Sequence, residues 1–347
     1  MTDVKSMTKA ELAAYLGGMG EKPFRAKQLY EWLQVHRIRS YEEATNLPAA
    51  LRKRLSEEAP LTVLAPLAVQ RSRIDNTAKT LFALPDGEAI ESVAMHYRFG
   101  LSVCVSSQAG CDRGCIFCAS GIGGLSRNLT ASEMLEQVYA VSAQEGEAVK
   151  RVVVMGSGEP FLNYENLHRF LTILTDKEGF GLGTRHVTVS TCGIVPRILD
   201  FARDFPQAGL AVSLHAPTQE KRERIMPRAA GDYGLKELIG AARKVTEQTG
   251  RKITFEYALI GGLNDGEEDA RALAALLKGM LCVVNLIPVN PVTERRLREP
   301  NKTDVREFKK NLETSGINVT IRREMGRDID GACGQLRHRN SRGERTC

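Results

Sequence analysis

Ser106-Ser107-Gln108-Ala109-Gly110-Cys111-Asp112-Arg113-Gly114-Cys115-Ile116-Phe117-Cys118 places three cysteines at Cys-x3-Cys-x2-Cys spacing, directly after a short strand-like run at 101–105. Three thiolates on one loop suit a metal cluster, and the missing fourth leaves one metal position open for chemistry. Thiolates select zinc, copper(I) or iron–sulfur centres. A structural zinc wants four protein ligands at closed tetrahedral spacing, and no nearby fourth Cys or His completes one. A [4Fe–4S] cluster is usually held by four cysteines, so three imply that something else ligates the last iron.

Downstream of this loop, runs rich in β-branched residues recur at 151–155, 186–190, 210–214, 253–259, 283–289 and 319–321. Helical patterns such as 131–143, 235–249 and 267–277 separate most of them. Strand alternating with helix predicts an α/β fold with a parallel sheet of βα units. Six or seven units fit a partial (β/α)6 TIM-like barrel better than a two-layer sandwich. The polar residues fall at the C-terminal ends of the predicted strands, where such barrels put their active sites. The cysteine loop follows the first run, and Gly156-Ser157-Gly158-Glu159-Pro160 follows the second. Ser190-Thr191-Cys192-Gly193 ends the third, Ser213-Leu214-His215 the fourth, and Pro288-Val289-Asn290-Pro291 the sixth. This placement argues for an enzyme.

Upstream, residues 8–58 carry helical periodicity, with Leu12, Tyr15 and Leu16 on one face and Leu29, Trp32 and Leu33 on another. Trp32 reads as core. Residues 79–84 and 89–95 read as two strands around an Asp86-Gly87 turn. A boundary near residue 97 divides the chain into an accessory unit of helices and a β-hairpin (1–96), the barrel (97–330) and a C-terminal segment (331–347). There is no internal repeat and no low-complexity stretch.

The 347 residues, 42% hydrophobic and 26% charged, suffice for a large core and have the balance of an ordinary globular protein. No apolar run approaches the roughly 18 residues of a membrane span, and residues 1–6 lack the apolar region of a signal peptide. The expected compartment is the cytoplasm, where thiols stay reduced. The eight cysteines are then ligands, nucleophiles or core residues rather than a disulfide framework. The net charge of +6 favours a polyanionic partner only weakly. Its basic residues do cluster, at Lys22, Arg25 and Lys27, at His36, Arg37 and Arg39, at Arg52, Lys53 and Arg54, and from Arg337 to the C-terminus.

At these residues the chain resembles the radical S-adenosylmethionine (SAM) enzymes, and within them the RlmN/Cfr family of RNA adenine methyltransferases. The resemblance runs from Gly20-Glu21-Lys22-Pro23-Phe24-Arg25 through Cys104-Val105-Ser106-Ser107-Gln108, the cysteine loop and Ser213-Leu214-His215-Ala216-Pro217. It ends at Asp328-Ile329-Asp330-Gly331-Ala332-Cys333-Gly334-Gln335-Leu336. The triad alone identifies only the superfamily; the triad with Cys104 and the C-terminal motif is specific. Ser157 stands where the family usually has Met, and Cys192 where Ser or an aliphatic residue is commoner. Pro160 resembles the RlmN branch, because the Cfr branch tends to have Ala there.

The resemblance implies a scheme. Cys111, Cys115 and Cys118 hold a [4Fe–4S] cluster, and SAM ligates the open iron. Two SAM molecules are used per turnover. Cys333 takes a methyl group from the first as a nucleophile. The second gives a radical that activates that methyl for addition to adenine. Cys104 then attacks the Cys333 sulfur, and a transient disulfide releases the product. Glu91 is the base that removes the C2 proton. SAM lies along Gly158, Glu159, Ser190, Ser213, Leu214, His215 and Asn290; Asn290 is preferred to Asn285 because it sits beyond its strand. The implied substrates are adenine 2503 of 23S rRNA and adenine 37 of tRNAs, with a flavodoxin- or ferredoxin-type electron donor, no membrane and a monomeric enzyme. A radical is needed because C2 and C8 of adenine are not nucleophiles and cannot attack a sulfonium methyl.

Blander readings stand beside these. The triad could be a zinc site or core thiols, and Cys333 and Cys104 could be buried core residues, as Cys often is. Glu91 could be a surface carboxylate on the hairpin, and His215 a satisfied strand-end histidine. Cys192, Cys282 and Cys347 read as non-catalytic. The functional rivals are C8 methylation and a non-enzymatic RNA-binding assembly factor with a structural metal.

Overall fold

Parallel strands need crossovers of a dozen or more residues, and the helical stretches between the strand runs supply them. The computed structural model describes residues 2–289, 297–323, 325–329 and 334–341. Asn290, Cys333 and Cys347 lie outside the described residues. The strands are β1 (Ala65–Arg71), β2 (Ala78–Ala83), β3 (Ala89–Tyr97), β4 (Gly100–Val105), β5 (Gln108–Gly110), β6 (Leu125–Asn128), β7 (Val149–Val154), β8 (Val187–Thr191), β9 (Gly209–Ser213), β10 (Ile253–Leu259), β11 (Cys282–Pro288) and β12 (Asn318–Ile321). Ten form one sheet in the order β1-β2-β3-β4-β7-β8-β9-β10-β11-β12, and β5 pairs with β6. From β4 through β12 the main sheet is parallel, and β1 to β4 pair antiparallel. Among the described residues β1 does not pair with β12, so the barrel is open.

Three helices precede the sheet: α1 (Lys9–Gly18), α2 (Phe24–Glu31) and α3 (Ala49–Glu58). The crossovers are α4 (Ala131–Glu145), α5 (Tyr164–Thr175), α6 (Val195–Asp204), then α7 (Gln219–Ile225), α8 (Pro227–Asp232) and α9 (Leu235–Thr249) together, then α10 (Glu267–Leu277) and α11 (Lys302–Thr314). A last helix, α12 (Gln335–Ser341), follows Cys333 in the chain. Local sequence sets these boundaries. Thr130 and Glu133 form a reciprocal capping box at the start of α4, and Gly146 ends it at φ +62°, a conformation that costs glycine little.

The inner parallel strands are largely buried because helices cover one face and the barrel interior the other; β10 is buried at six of its seven positions. The apolar core from Leu64 to Ile317 fills the sheet and its helices. A second core, with Leu12, Leu16, Leu29, Leu33, Leu51 and Leu55, fills the N-terminal helices. Trp32 packs against it half-buried, donating to Asn46 Oδ1 at 2.6 Å. The two cores meet over α4. There Lys5 Nζ, fully buried, pairs with Glu136 at 2.6 Å and donates to Thr62 O at 2.9 Å. Tyr139 donates to Gln34 Oε1 at 2.6 Å across the same seam. No described helix is long and apolar enough to cross a membrane.

Candidate active site

The cysteine loop is held at its base by the β5–β6 hairpin. Gly110, at φ +86°, permits the close pairing, since a Cβ there would stand 2.1 Å from Gly124 O. Cys111 N–H donates to Gly124 O at 3.0 Å, and Ile116 N–H donates to Ile225 O at 3.0 Å, fastening the middle of the loop to the end of α7. Arg113, nearly buried, holds Asp112 at 2.8 Å and Asp232 on α8 at 2.5 Å.

All three cysteines line one cavity of about 300 Å³ at the C-terminal ends of the parallel strands, the size of a small-molecule site. Gly156, Gly158 and Glu159 after β7, Ser190 and Thr191 of β8, and Ser213 and His215 at β9 supply its polar wall. Of the predicted cofactor residues, Gly158, Glu159, Ser190, Ser213 and His215 line it. Leu214 does not: it is fully buried, with its N–H donating to Glu256 O at 3.0 Å. Asn285 is tied to Glu256 Oε2 at 2.8 Å.

The Ser-Ser-Gln stretch before the cysteines is the brace of this wall. Ser107 N–H and Gln108 N–H donate to Ser157 O, Ser157 N–H donates to Ser106 Oγ at 3.0 Å, and Glu159 N–H donates to Gln108 Oε1 at 2.7 Å. Gly158 adopts φ +104°, and a Cβ on it would lie 2.5–2.8 Å from Gln108. A Gly158→Ala protein therefore carries both left-handed strain and overpacking. It is expected to lose about 2–5 kcal/mol of stability, read as a lower urea midpoint at unchanged slope. A loss under about 0.5 kcal/mol, the scale of an ordinary surface change, would contradict this packing.

Glu159 is buried, which pushes its carboxyl up; the N–H groups of Cys192 (2.6 Å) and Phe161 (3.0 Å) and the Thr191 hydroxyl (2.7 Å) oppose the shift. The Cys192 thiol also hydrogen-bonds Glu159, and burial raises it well above the usual range, so it is a protonated wall residue and not a thiolate. Ser157 Oγ lies 3.1 Å from Ser120 Oγ. His215 sits at φ +55°, and its Nδ1 accepts from Ala258 N–H at 2.8 Å. That bond assigns the proton to Nε2 in the neutral ring. Burial, with Arg222 nearby, lowers its pKa to about 3. The folded protein thus refuses a proton that the unfolded chain accepts below pH 6.5, and this residue weakens the fold as pH falls toward 3.

Several polar lining residues were given no role in the sequence reading, among them Thr191, which adjoins the chosen Ser190, Glu256, a lone carboxylate inside an apolar strand, and Arg322 and Arg323 after β12. Of these, only Glu256 carried a signal, since a carboxylate in a doubly covered strand is rarely idle.

Cys104 lies in β4, buried, opposite Val93 of β3 and Val153 of β7. Glu91 of β3 is buried as well, so the surface reading of it fails. Its oxygens face Lys79 Nζ at 3.0 Å, Gly334 N–H at 2.8 Å and Arg337 N–H at 2.7 Å. Gly334 also abuts the cysteine loop, since a Cβ on it would stand 2.3 Å from Ser120 N. The residue that follows Cys333 in the chain is therefore wedged between Glu91 and the loop that carries Cys118.

The donor set fits a thiolate-held cluster. Burial pushes the Cys111 thiol up to about 11 and the Cys115 thiol higher, so metal must displace protons to bind. Among the described residues no three His, Cys, Asp or Glu side chains converge as ligands of one ion would.

Comparison with known proteins agrees with this geometry. Residues 105–274 match the radical SAM superfamily, and residues 2–61 match the ribosomal RNA large subunit methyltransferase N-terminal domain. The chain is 51% identical over 339 residues to a protein of Lachnospira eligens named as a probable dual-specificity RNA methyltransferase RlmN, covering 98% of this chain and 97% of that one. A Geobacillus kaustophilus protein of the same name is 48% identical over 347 residues, covering 99% and 94%. The crystal structure of a radical SAM methyltransferase from Sphaerobacter thermophilus superposes with a TM-score of 0.92 at 43% identity, covering 96% of this chain and 99% of that one.

Proposed function

The chain belongs to the RlmN family of radical SAM RNA methyltransferases, and from that premise we propose that it methylates C2 of adenine 2503 in 23S rRNA and of adenine 37 in tRNAs. The observation that carries this reading is one juxtaposition. Three thiols line a cavity at the barrel mouth, and the chain neighbour of Cys333 is packed against the same loop. A cluster and SAM supply, when bound, the one-electron chemistry that an unactivated aromatic carbon requires.

The chain's own residues do the rest. Gly158, Glu159, Ser190 and Ser213 offer backbone and side-chain polar groups to the amine, carboxylate and ribose of SAM, with Asn290 completing the set. Cys333 carries the methyl group, and Cys104 releases the product by attacking the Cys333 sulfur. Glu91 takes the C2 proton from a position beside that carrier. The enzyme works in the cytoplasm as a monomer, uses two SAM molecules per turnover and draws electrons from a flavodoxin- or ferredoxin-type protein. Reconstituted anaerobically and given SAM, reductant and unmodified RNA, the protein should yield 2-methyladenosine on nuclease digestion and mass analysis. Finding 8-methyladenosine alone would overturn the regiochemistry, and finding neither would overturn the function.

The N-terminal helices ahead of the sheet take an RNA-gripping role. Lys22, Lys27, Arg39, Lys53 and Arg54 are exposed there, and Phe24, half exposed, lies under the Arg25 guanidinium at 4.7 Å. If these five cations neutralise phosphates, the logarithm of RNA affinity should fall against the logarithm of salt with a slope of about −3.5 to −4.5. A flat dependence would remove the unit from the RNA interface.

A further inference from the structure

Arg222 of α7 is fully buried beside the candidate site. Its Nη2 donates to Cys192 O at 2.6 Å and its Nη1 to Tyr233 O at 3.3 Å, while its Nε has no partner. Gly193 leaves the space it fills, since a Cβ there would stand 3.3 Å from Nη2. Among the described residues the other deeply buried cations meet carboxylates: Lys5 meets Glu136, Lys79 meets Glu91, and Arg113 meets Asp112 and Asp232. Among the described residues no carboxylate pairs with Arg222; the titratable groups near enough to act on it are the thiols of Cys192 and Cys115, which are neutral while protonated. An uncompensated buried charge is strongly destabilising, so a counter-charge is missing among the described residues.

We propose that the metal cluster held by Cys111, Cys115 and Cys118 is the counter-ion of Arg222, and that this buried guanidinium secures the cluster and raises its midpoint potential. The inference rests on the reading of the triad as a cluster site. Three thiolates and the sulfides of a cluster put negative charge next to Cys115, and its position beside the α7 end is fixed by the Ile116–Ile225 hydrogen bond. A fixed positive charge favours the more negative, reduced state. Cluster potentials respond to net charge and to hydrogen bonds of this kind. Arg222 is thus a positioning residue that acts through the cluster.

The sign of its effect should reverse between the empty and the loaded protein. After chelator treatment, an Arg222→Met chain should unfold at the same temperature as the parent or higher, because replacing an unpaired buried charge by an apolar group of similar shape relieves a cost. Loaded with iron and sulfide, the same variant should lose iron faster to a chelator. Its reduction equilibrium should be at least tenfold less favourable, which for one electron is about 59 mV, read by redox titration of the cluster's paramagnetic signal. Arg222→Lys, which keeps the charge, should recover most of the potential. An empty Met variant that unfolds earlier while its loaded potential is unchanged would overturn the proposal and leave Arg222 as a brace for two carbonyls. If the Met variant does not fold, Arg222→Gln decides through its potential: lowered supports the proposal, unchanged overturns it. A parent chain that takes up no iron and sulfide would strike the triad reading instead.

Discussion

Cys333→Ala protein is expected to take up iron and sulfide as the parent does, yet to place no methyl group on itself or on RNA. The three proposed cluster ligands stand on the loop between β5 and β6, while Cys333 comes from the C-terminal segment, so the substitution removes none of them. The segment stays docked, because Gly334 and Arg337 donate to Glu91 through backbone N–H groups that no side-chain change removes. What disappears is the sulfur proposed to accept the methyl group as a nucleophile. Removing a covalent nucleophile costs on the order of a thousandfold or more, so methylation should fall to background. Mass analysis of the protein and of digested RNA reads both products. Turnover at more than a few per cent of the parent rate would refute the covalent scheme.

Cys115→Ala should fail one stage earlier. Burial raises its thiol further than that of Cys111, and the Arg222 charge opposes the shift. The variant should fold, because in the empty protein this sulfur is a neutral thiol packed against the apolar core, and losing it removes one small group. It should hold little iron and form no 5′-deoxyadenosine from SAM under reducing conditions. An unchanged circular dichroism spectrum with parent-level iron content would remove Cys115 from the ligand set.

The sequence was a good guide wherever a residue's role follows from its neighbours in the chain. The strand runs at 253–259 and the helical patterns at 235–249 and 267–277 coincide with β10, α9 and α10, because strands covered on both faces are continuously apolar and the helices between them keep their own period. The convergence of the three thiols on one cavity was legible because they share one short loop. The short pieces were not legible. β5 and β6 span three and four residues, and their pairing follows from the close approach of Gly110 to Gly124 rather than from any pattern. β1 is an edge strand, exposed at most positions, with little apolar signal. Glu91 was readable as a carboxylate in a family motif, but its burial against Lys79 and the Gly334 backbone depends on how the C-terminus returns to the hairpin. Arg222 gave no signal at all: in a helix reading Gln-Glu-Lys-Arg-Glu-Arg-Ile it looks like one more solvated charge, and only the packed structure leaves it alone among carbonyls and thiols. The assembly-factor alternative does not survive membership in a methyltransferase family.

The claim at the centre of this account is that a cluster on Cys111, Cys115 and Cys118 and a methyl carrier on Cys333 act together on an RNA carbon. Its most direct test is a count of products made by the reconstituted parent protein under anaerobic, reducing conditions with SAM and unmodified RNA. The account predicts one 5′-deoxyadenosine and one S-adenosylhomocysteine for each 2-methyladenosine formed. RNA methylation that proceeds without 5′-deoxyadenosine would contradict it.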